Sequence, residues 1–207
     1  MANDARYLVP AAQHRIEHTI DRSRFICTLT RIESPEMAQS FIRAMNSEFA
    51  DATHNCWAYV AGPPGSTSRV GMSDAGEPHG TAGRPMLTVL LHSDVGEIAA
   101  VVTRYYGGIK LGTGGLVKAY GGAVQLALET LSTTERVDYV DAQLTIGYAN
   151  ITVIQQLFAA HDVIVDDEAY AADVRYRLRV PRPSVPTLQR ALADATRGES
   201  VLEIETA

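Results

Sequence analysis

The sequence predicts an α/β chain built from two domains, residues 1–134 and 135–207. Three observations support this. The apolar run at 98–103 is continuous, which is typical of a central strand buried on both faces. Fourteen of the sixteen glycines lie between residues 62 and 122, so the two parts of the chain differ in glycine content. Beyond a polar stretch at 132–135, apolar and polar residues alternate, as they do in a half-buried strand.

Composition limits the classes of protein that this chain can belong to. Apolar residues make up 46% and charged residues 20%, which is typical of a folded chain and excludes disorder. A net charge of -6 argues against non-specific coating of nucleic acid, so DNA is not an expected partner. No apolar run is long enough to span a membrane and the first residues do not resemble a signal peptide, so a cytoplasmic protein with no membrane partner is expected. The two cysteines are too few for a disulfide framework.

The elements of the first domain follow from local patterns. Ser34, Pro35 and Glu36 open a helix, because they supply a cap, a residue suited to the first turn and an acid at the positive end of the dipole. The predicted order is strand 23–32, a helix from 34, strands 55–61 and 69–73, helix 81–92, strand 98–103, a glycine-rich turn and helix 116–131.

The second domain has a recognisable order of elements. We predict strand 141–148, helix 152–160, strands 161–170 and 173–180, helix 186–196 and strand 201–204. This β-α-β-β-α-β order is that of a ferredoxin-like domain.

Residues 104–118 form the main candidate site, because a glycine-rich turn between a buried strand and a helix can gather backbone N–H groups around an anion. Neither known phosphate motif fits: Thr113 stands where a P-loop needs lysine, and Val117 stands where a dinucleotide fingerprint needs its third glycine. The glycines therefore indicate either close packing or a binding site for an anion or a partner. The candidate binding residues are Arg104, Tyr105, Tyr106, Gly107, Gly108, Lys110, Gly112, Gly114, Gly115 and Lys118, with Asp74 and Glu77 from a neighbouring loop.

Other polar clusters have simpler interpretations. Asp74, Glu77 and His79 could contact a divalent ion, but a turn stabilised by the Asp74 side chain explains the pattern without a metal. Cys56 lies in a predicted strand, and no distant Asp-His pair would activate it as a nucleophile. We therefore predict no catalytic residue, no metal and no cofactor.

Three arginines alternate along one predicted strand of the second domain, namely Arg175, Arg177 and Arg179. They could contact RNA phosphates, or they could pair with the acids Asp166, Asp167 and Glu168 across a hairpin. Cross-strand ion pairs are the favoured interpretation, because the strand lacks the paired aromatic residues of a platform for single-stranded RNA.

Two motifs resemble a known family. The chain has S-D-x-G-E-P-x-G-T-A-G-x-P at 73–85 and V-V-T-R-Y-Y-G-G-I-K-L-G-x-G-G-L-V-x-A-Y at 101–120, and a third stretch, H-N-C-W-A-Y, lies at 54–59. With this spacing, residues 20–130 closely resemble the IMPACT family, in particular its bacterial, YigZ-like branch. The second domain resembles the small C-terminal domain of bacterial members.

The resemblance implies a fold and a function. The first domain should have the ribosomal-protein-S5-domain-2-like fold, which a domain of elongation factor G shares, and the second should resemble the ferredoxin-like C-terminal domain of that factor. Eukaryotic relatives restrain a translational-stress kinase by occupying its activator protein. The expected function is a non-enzymatic regulator of translation or stress response, whose partner is a protein of the translation machinery or the ribosome and its RNA.

One alternative remains open. Some small-molecule kinases share this superfamily fold, so the chain could be an enzyme that binds a phosphorylated small molecule or a nucleotide at the glycine-rich turn.

The motif at 73–85 departs from the family pattern at Ala75, since relatives often have a second acid there. This departure weakens the case for a metal or an acid-base pair at Asp74 and Glu77.

Overall fold

The computed structural model describes residues 6–205, which divide after Arg136. Tyr7–Arg136 forms one compact unit, and the described residues from Val137 onward form the other, to which Arg6 is also assigned. Helices and strands occur in both units, so the predicted α/β class is confirmed. Among the described residues, no helix combines the length and the apolar character needed to cross a membrane.

The first unit is built around one five-stranded sheet. Its elements are β1 (Arg6–Pro10), β2 (His14–Ile20), β3 (Ser23–Arg31), α1 (Pro35–Glu48), β4 (His54–Val60), β5 (Val70–Ser73), α2 (Gly83–Leu91), β6 (Ile98–Tyr105), α3 (Gly112–Glu129) and β7 (Thr133–Val137). The strand order is β2-β3-β6-β4-β5, with every neighbouring pair antiparallel. β1 and β7 form a separate two-stranded sheet.

β6 is the central strand, as its continuous apolar run predicts. Alternate side chains of β6 point to opposite faces of the sheet. Ala100 and Val102 lie in the core that α2 and α3 cover. Val101 packs instead with Ile42 and Met45 of α1 on the other face. Both faces are therefore shielded from water by helices, and only the carboxyl end of β6 carries charge.

Local sequence patterns predicted the start of α1 correctly but not the start of α3. Ser34 caps α1 as predicted, since its hydroxyl accepts a hydrogen bond from the backbone N–H of Met37. α3 begins at Gly112, four residues before the predicted start at 116, because three glycines in its first turn remove the apolar pattern on which the prediction relied.

β1, β2 and β7 were not predicted. β2 is an edge strand in which exposed polar residues alternate with half-buried residues such as Ile16 and Ile20. A short edge strand that contains histidine, arginine and glutamate gives a weak apolar signal, and its pairing with β3 depends on residues elsewhere in the fold.

The second unit has the predicted order of elements. They are β8 (Tyr139–Ile146), α4 (Ile151–Ala160), β9 (Ile164–Tyr170), β10 (Val174–Pro181), α5 (Val185–Thr196) and β11 (Leu202–Ile204). The four strands form an antiparallel sheet in the order β11-β8-β10-β9. The apolar face of β8 and β10 packs against Ile154 and Phe158 of α4 and against Leu188 and Leu192 of α5.

Two of the three arginines of β10, Arg177 and Arg179, pair with acids across the hairpin, as the favoured interpretation predicts, whereas Arg175 forms no ion pair within residues 6–205. Arg179 lies 2.9 Å from Asp166, and Arg177 lies 3.5 Å from Asp167. The hydrogen bonds from Arg179 hold the pKa of the Asp166 carboxyl below its usual range. These contacts are largely solvated, so they neutralise the charges of Arg177 and Arg179 without adding much to stability.

Candidate functional site

The candidate site lies at the carboxyl end of β6. Arg104 stands in register with Phe25 of β3 on one side and with His54 of β4 on the other. Side chains two residues apart share a face, so Arg104 points to the same side as Val102. That side is covered by α2 and α3, and the Arg104 side chain is only 7% exposed.

The charge of Arg104 is neutralised by Glu77, which is 3% exposed. The Nη1 atom of Arg104 donates a hydrogen bond of 2.6 Å to Oε1 of Glu77. The Tyr120 hydroxyl, from the buried side of α3, donates to the same oxygen at 2.8 Å. We call these three side chains the buried network. It joins the end of the central strand, the loop before α2 and the helix α3.

The loop that supplies Glu77 is folded around the carboxylate of Asp74. That carboxylate accepts hydrogen bonds from the backbone N–H groups of Gly80, Ala82 and Gly83 at 2.8 to 3.0 Å. Burial acts to raise the pKa of Asp74, but these bonds outweigh it and hold the pKa below its usual range. The turn interpretation of Asp74 is therefore confirmed. Within residues 6–205, no cluster of three His, Cys, Asp or Glu side chains could hold a metal ion.

Cys56 and His54 lie beside this loop. The thiol of Cys56 donates to the backbone carbonyl of Asp74 at 2.9 Å, and burial raises the pKa of the thiol to about 12. A thiol with this pKa is almost entirely protonated at neutral pH, so it is a poor nucleophile. His54 places Nδ1 2.9 Å from the carbonyl of Ala75 and Nε2 3.9 Å from Glu77.

The buried network therefore supports the structure of the segments that it joins. Burial and the nearby Cys56 and Glu77 raise the pKa of Tyr120, so its hydroxyl remains a hydrogen-bond donor. The charged oxygen of Glu77 that faces Arg104 is occupied by two donors, and the network has little contact with solvent. Such an arrangement fixes the position of the chain segments that it joins.

The turn that follows β6 needs glycine for two different reasons. A Cβ atom at Gly107 would lie 2.1 Å from the backbone carbonyl of Arg22, because the turn packs directly on the β2–β3 hairpin. Gly108 and Gly112 have φ values of +88° and +70°, in the left-handed region that other residues adopt at a cost. The Gly107 N–H also donates to the Ser23 hydroxyl at 3.2 Å.

Beyond this anchored point, the turn is exposed. Tyr106 is 46% and Ile109 is 41% exposed, and Val117 on the first turns of α3 is 40% exposed. Lys110 and Lys118 are exposed as well, and neither side chain has an ion-pair or hydrogen-bond partner within the described part of the chain. We call the surface formed by Tyr106, Ile109, Lys110, Val117 and Lys118 the loop face.

The predicted site residues thus fall into two groups. Arg104 and Glu77 face inward and bind each other, Asp74 binds backbone N–H groups, and Tyr105 donates to Asp51 at 2.8 Å. The other predicted residues lie on or beside the exposed turn: Tyr106, Gly107, Gly108, Lys110, Gly112, Gly114, Gly115 and Lys118. Gly112, Gly114 and Gly115 belong to the first turn of α3, not to a loop.

Sequence reasoning did not predict that Tyr120, His54 and Ser23 take part. Tyr120 could have been found from its position, since a polar hydroxyl on the apolar side of a helix needs a buried partner. Ser23 accepts from the Gly107 N–H and lies 3.5 Å from Nη2 of Arg104. No pattern in the sequence connects Ser23 with residues more than eighty positions away.

Comparison with protein families and known proteins places the chain in context. Residues 21–128 match the model of the Impact N-terminal domain, and residues 144–199 match a domain of unknown function, DUF1949. The chain is 44% identical over 200 residues to IMPACT family member YigZ of Escherichia coli K12, covering 96% of this chain and 98% of that protein. It is 40% identical to an IMPACT family member of Haemophilus influenzae Rd, covering 97% of both chains.

More distant and structural similarities agree with this. Protein IMPACT-B of Xenopus tropicalis is 34% identical over 107 residues, which cover 50% of this chain and 33% of that protein. A crystal structure described as that of a hypothetical protein is similar with a TM-score of 0.68 at 42% identity, covering 98% of both chains.

Proposed function

Since the chain belongs to the IMPACT family, we propose that it is a non-enzymatic regulator of translation or of a stress response. In this proposal the loop face binds a component of the translation machinery, either a protein or RNA.

The observation that carries the proposal is the chemistry of the loop face. An aromatic ring, two aliphatic side chains and two lysines are exposed within thirteen residues, from Tyr106 to Lys118. Apolar side chains that cluster on a surface mark interaction sites more often than single exposed ones do. Lys110 and Lys118 are the only two lysines in the sequence, whose other basic residues are mainly arginines and whose net charge is -6. This surface suits a partner with negative charge and some apolar surface.

The rigidity of the base of the loop favours binding. The buried network holds the end of β6 against α3, and Gly107 holds the turn against the β2–β3 hairpin. A binding surface that is ordered before association loses less conformational entropy when it binds. Inside the network the charges of Arg104 and Glu77 balance each other, so Lys110 and Lys118 supply the positive charge of the loop face.

Co-sedimentation with purified ribosomes across a salt series tests the proposal. The variant is Tyr106→Ala/Lys110→Glu, since both side chains are exposed and neither belongs to the buried network. Arg43→Glu is the matched control, because Arg43 is an exposed cation on α1, on the opposite face of the sheet. Arg104 is unsuitable, since its replacement by glutamate would bury two carboxylates side by side.

We expect binding that weakens as salt rises, that is lost in the loop variant and that persists in Arg43→Glu. Equal binding by all three proteins would contradict the assignment of the loop face. Absence of binding at every salt concentration would contradict the ribosome as the partner.

The alternative function, an enzyme for a phosphorylated small molecule or nucleotide, is tested in parallel by thermal shift. A ligand present at about 100 times its dissociation constant stabilises a protein by about 2.7 kcal/mol. Stabilisation by nucleotide and Mg²⁺ that the loop variant abolishes would favour the enzyme.

A further inference from the structure

A second surface feature of the first unit is a groove between α2 and α3. Its volume is about 570 Å³. Pro85 and Val89 of α2 form one wall, Val117 stands on the other, and Gly121 and Gly122 form part of its surface on α3. The residues of α3 that line it run from Val117 to Gln125, which corresponds to about 12 Å of helix.

The charge at the edges of the groove is positive. Arg84 and Lys118 both line it, and none of the acidic residues that the structure describes does. Among residues 6–205, neither cation has an ion-pair or hydrogen-bond partner for its side chain. Other arginines of the same unit are paired with glutamates, namely Arg15, Arg24, Arg31, Arg104 and Arg136. Within residues 6–205, Arg22, Arg43, Arg69 and Lys110 of this unit form no ion pair either. What distinguishes Arg84 and Lys118 is that both stand beside an apolar groove, where they give its edge a positive charge in an acidic chain.

The two glycines on the α3 side are not required by packing. A Cβ atom at Gly122 would meet nothing within 4 Å, and one at Gly121 would lie 3.8 Å from Pro85 and Val89, an ordinary contact. Glycine in the middle of a helix costs about 0.5–1 kcal/mol relative to alanine. Alanine would fit at both positions and stabilise α3, but any longer side chain at Gly122 would occupy the groove.

We propose that this groove binds a short acidic peptide segment of a partner protein, with apolar side chains in the groove and carboxylates beside Arg84 and Lys118. The inference rests on the proposed function, because Lys118 belongs both to the loop face and to the groove, and it names the class of partner. Charge complementarity selects an acidic segment. RNA suits the groove less well, since no described residue in its lining has an aromatic side chain on which a base could stack.

The experiment selects peptides from a random display library of about 12 residues, a length that exceeds the groove. The baits are the full chain and its Gly122→Leu variant. Ala44→Leu is the matched control, because Ala44 is an exposed small residue of α1, on the opposite face of the sheet. Gly122→Ala serves as a second control that adds one methyl group without filling the groove. Thermal unfolding of each protein checks that it is folded.

We expect the unaltered chain, Ala44→Leu and Gly122→Ala to enrich peptides that combine Asp or Glu with apolar residues. Their affinity, measured by fluorescence anisotropy, should fall about tenfold or more in Gly122→Leu and in Arg84→Glu. Enrichment of the same peptides by Gly122→Leu, enrichment of neutral or basic peptides, or no enrichment at all would each overturn the proposal. Labelled single-stranded RNA is titrated with the same proteins, and groove-dependent RNA binding would overturn it in favour of nucleic acid.

The two proposals fail in different ways. Gly122→Leu and Arg84→Glu leave Tyr106 and Lys110 unchanged, so ribosome binding that persists in them but is lost in Tyr106→Ala/Lys110→Glu would support the loop face alone. Loss of peptide binding in the groove variants without any ribosome binding would support the groove alone.

Discussion

Replacement of Glu77 by glutamine should be among the most damaging single changes in the first unit. Glu77→Gln keeps the size of the side chain and one oxygen acceptor, but it removes the negative charge that lies 2.6 Å from Nη1 of Arg104. Arg104 is 7% exposed, so its positive charge would remain buried without compensation. Removal of one partner of a buried ion pair costs about 3–5 kcal/mol.

Urea unfolding followed by tryptophan fluorescence measures this cost. Trp57 is the single tryptophan of the chain and lies in β4, so its signal reports on the first unit. The matched control is Glu17→Gln, which breaks the exposed ion pair with Arg24. We expect Glu77→Gln to lower the midpoint strongly and Glu17→Gln to change it little.

A double-mutant cycle distinguishes loss of the pair from loss of packing. Arg104→Met alone should be strongly destabilising. Within residues 6–205 it leaves the buried Glu77 carboxylate with the Tyr120 hydroxyl as its one side-chain hydrogen-bond donor and with His54 3.9 Å away. The double variant Glu77→Gln/Arg104→Met buries no charge at this position, so its cost should be much smaller than the sum of the two single costs. Additive costs, or a Glu77→Gln cost equal to that of the surface control, would refute the reasoning.

Three further predictions concern the surroundings of the network. Asp74→Asn should lower the free energy of unfolding in urea at pH 7. Because the folded-state pKa of Asp74 is depressed, the difference in stability between the variant and the unaltered chain should shrink as pH falls through that pKa. A difference that grows in acid would contradict this. Neither Cys27 nor Cys56 should react with Ellman's reagent in the folded chain at pH 8, because both thiols are buried and their pKa values are raised. Both should react in urea, and rapid reaction of either thiol in the folded chain would contradict the prediction. Gly107→Ala should reduce the stability measured by thermal unfolding by more than about 1 kcal/mol, since its Cβ would overlap the neighbouring hairpin. Gly114→Ala, whose Cβ would lie in open space on α3, should be neutral or stabilising. Equal effects of the two substitutions would show that the overlap at Gly107 is relieved.

The fold was predictable wherever one element had its own pattern. The buried run of β6, the cap at Ser34 and the alternation along β8 and β10 each identify an element without reference to the rest of the chain. The order of elements in the second unit followed from these patterns alone. Edge strand β2 and the first turn of α3 were missed, because glycine and alternating charged residues do not produce an apolar period.

The pairing of arginines with acids in the second unit was also predictable. Acids and arginines stand on adjacent strands of one hairpin, so the distance along the sequence is short and the pairing follows from local geometry. The same reasoning could not be applied to Arg104, whose partner Glu77 is 27 residues away.

The sequence by itself determined where the glycine-rich turn lies, that it joins a central strand to a helix, and which family the chain resembles. These properties depend on residue types and on spacing along the chain. Only the tertiary structure decided that Arg104 and Glu77 face inward, whereas Tyr106, Lys110 and Lys118 face outward. The physical reason is that the direction of a side chain at the end of a strand depends on which face of the sheet the helices cover. The packing of α2 and α3 encloses Arg104, Glu77 and Tyr120 in low dielectric, where the charges must pair, and it leaves the next residues of the turn in water.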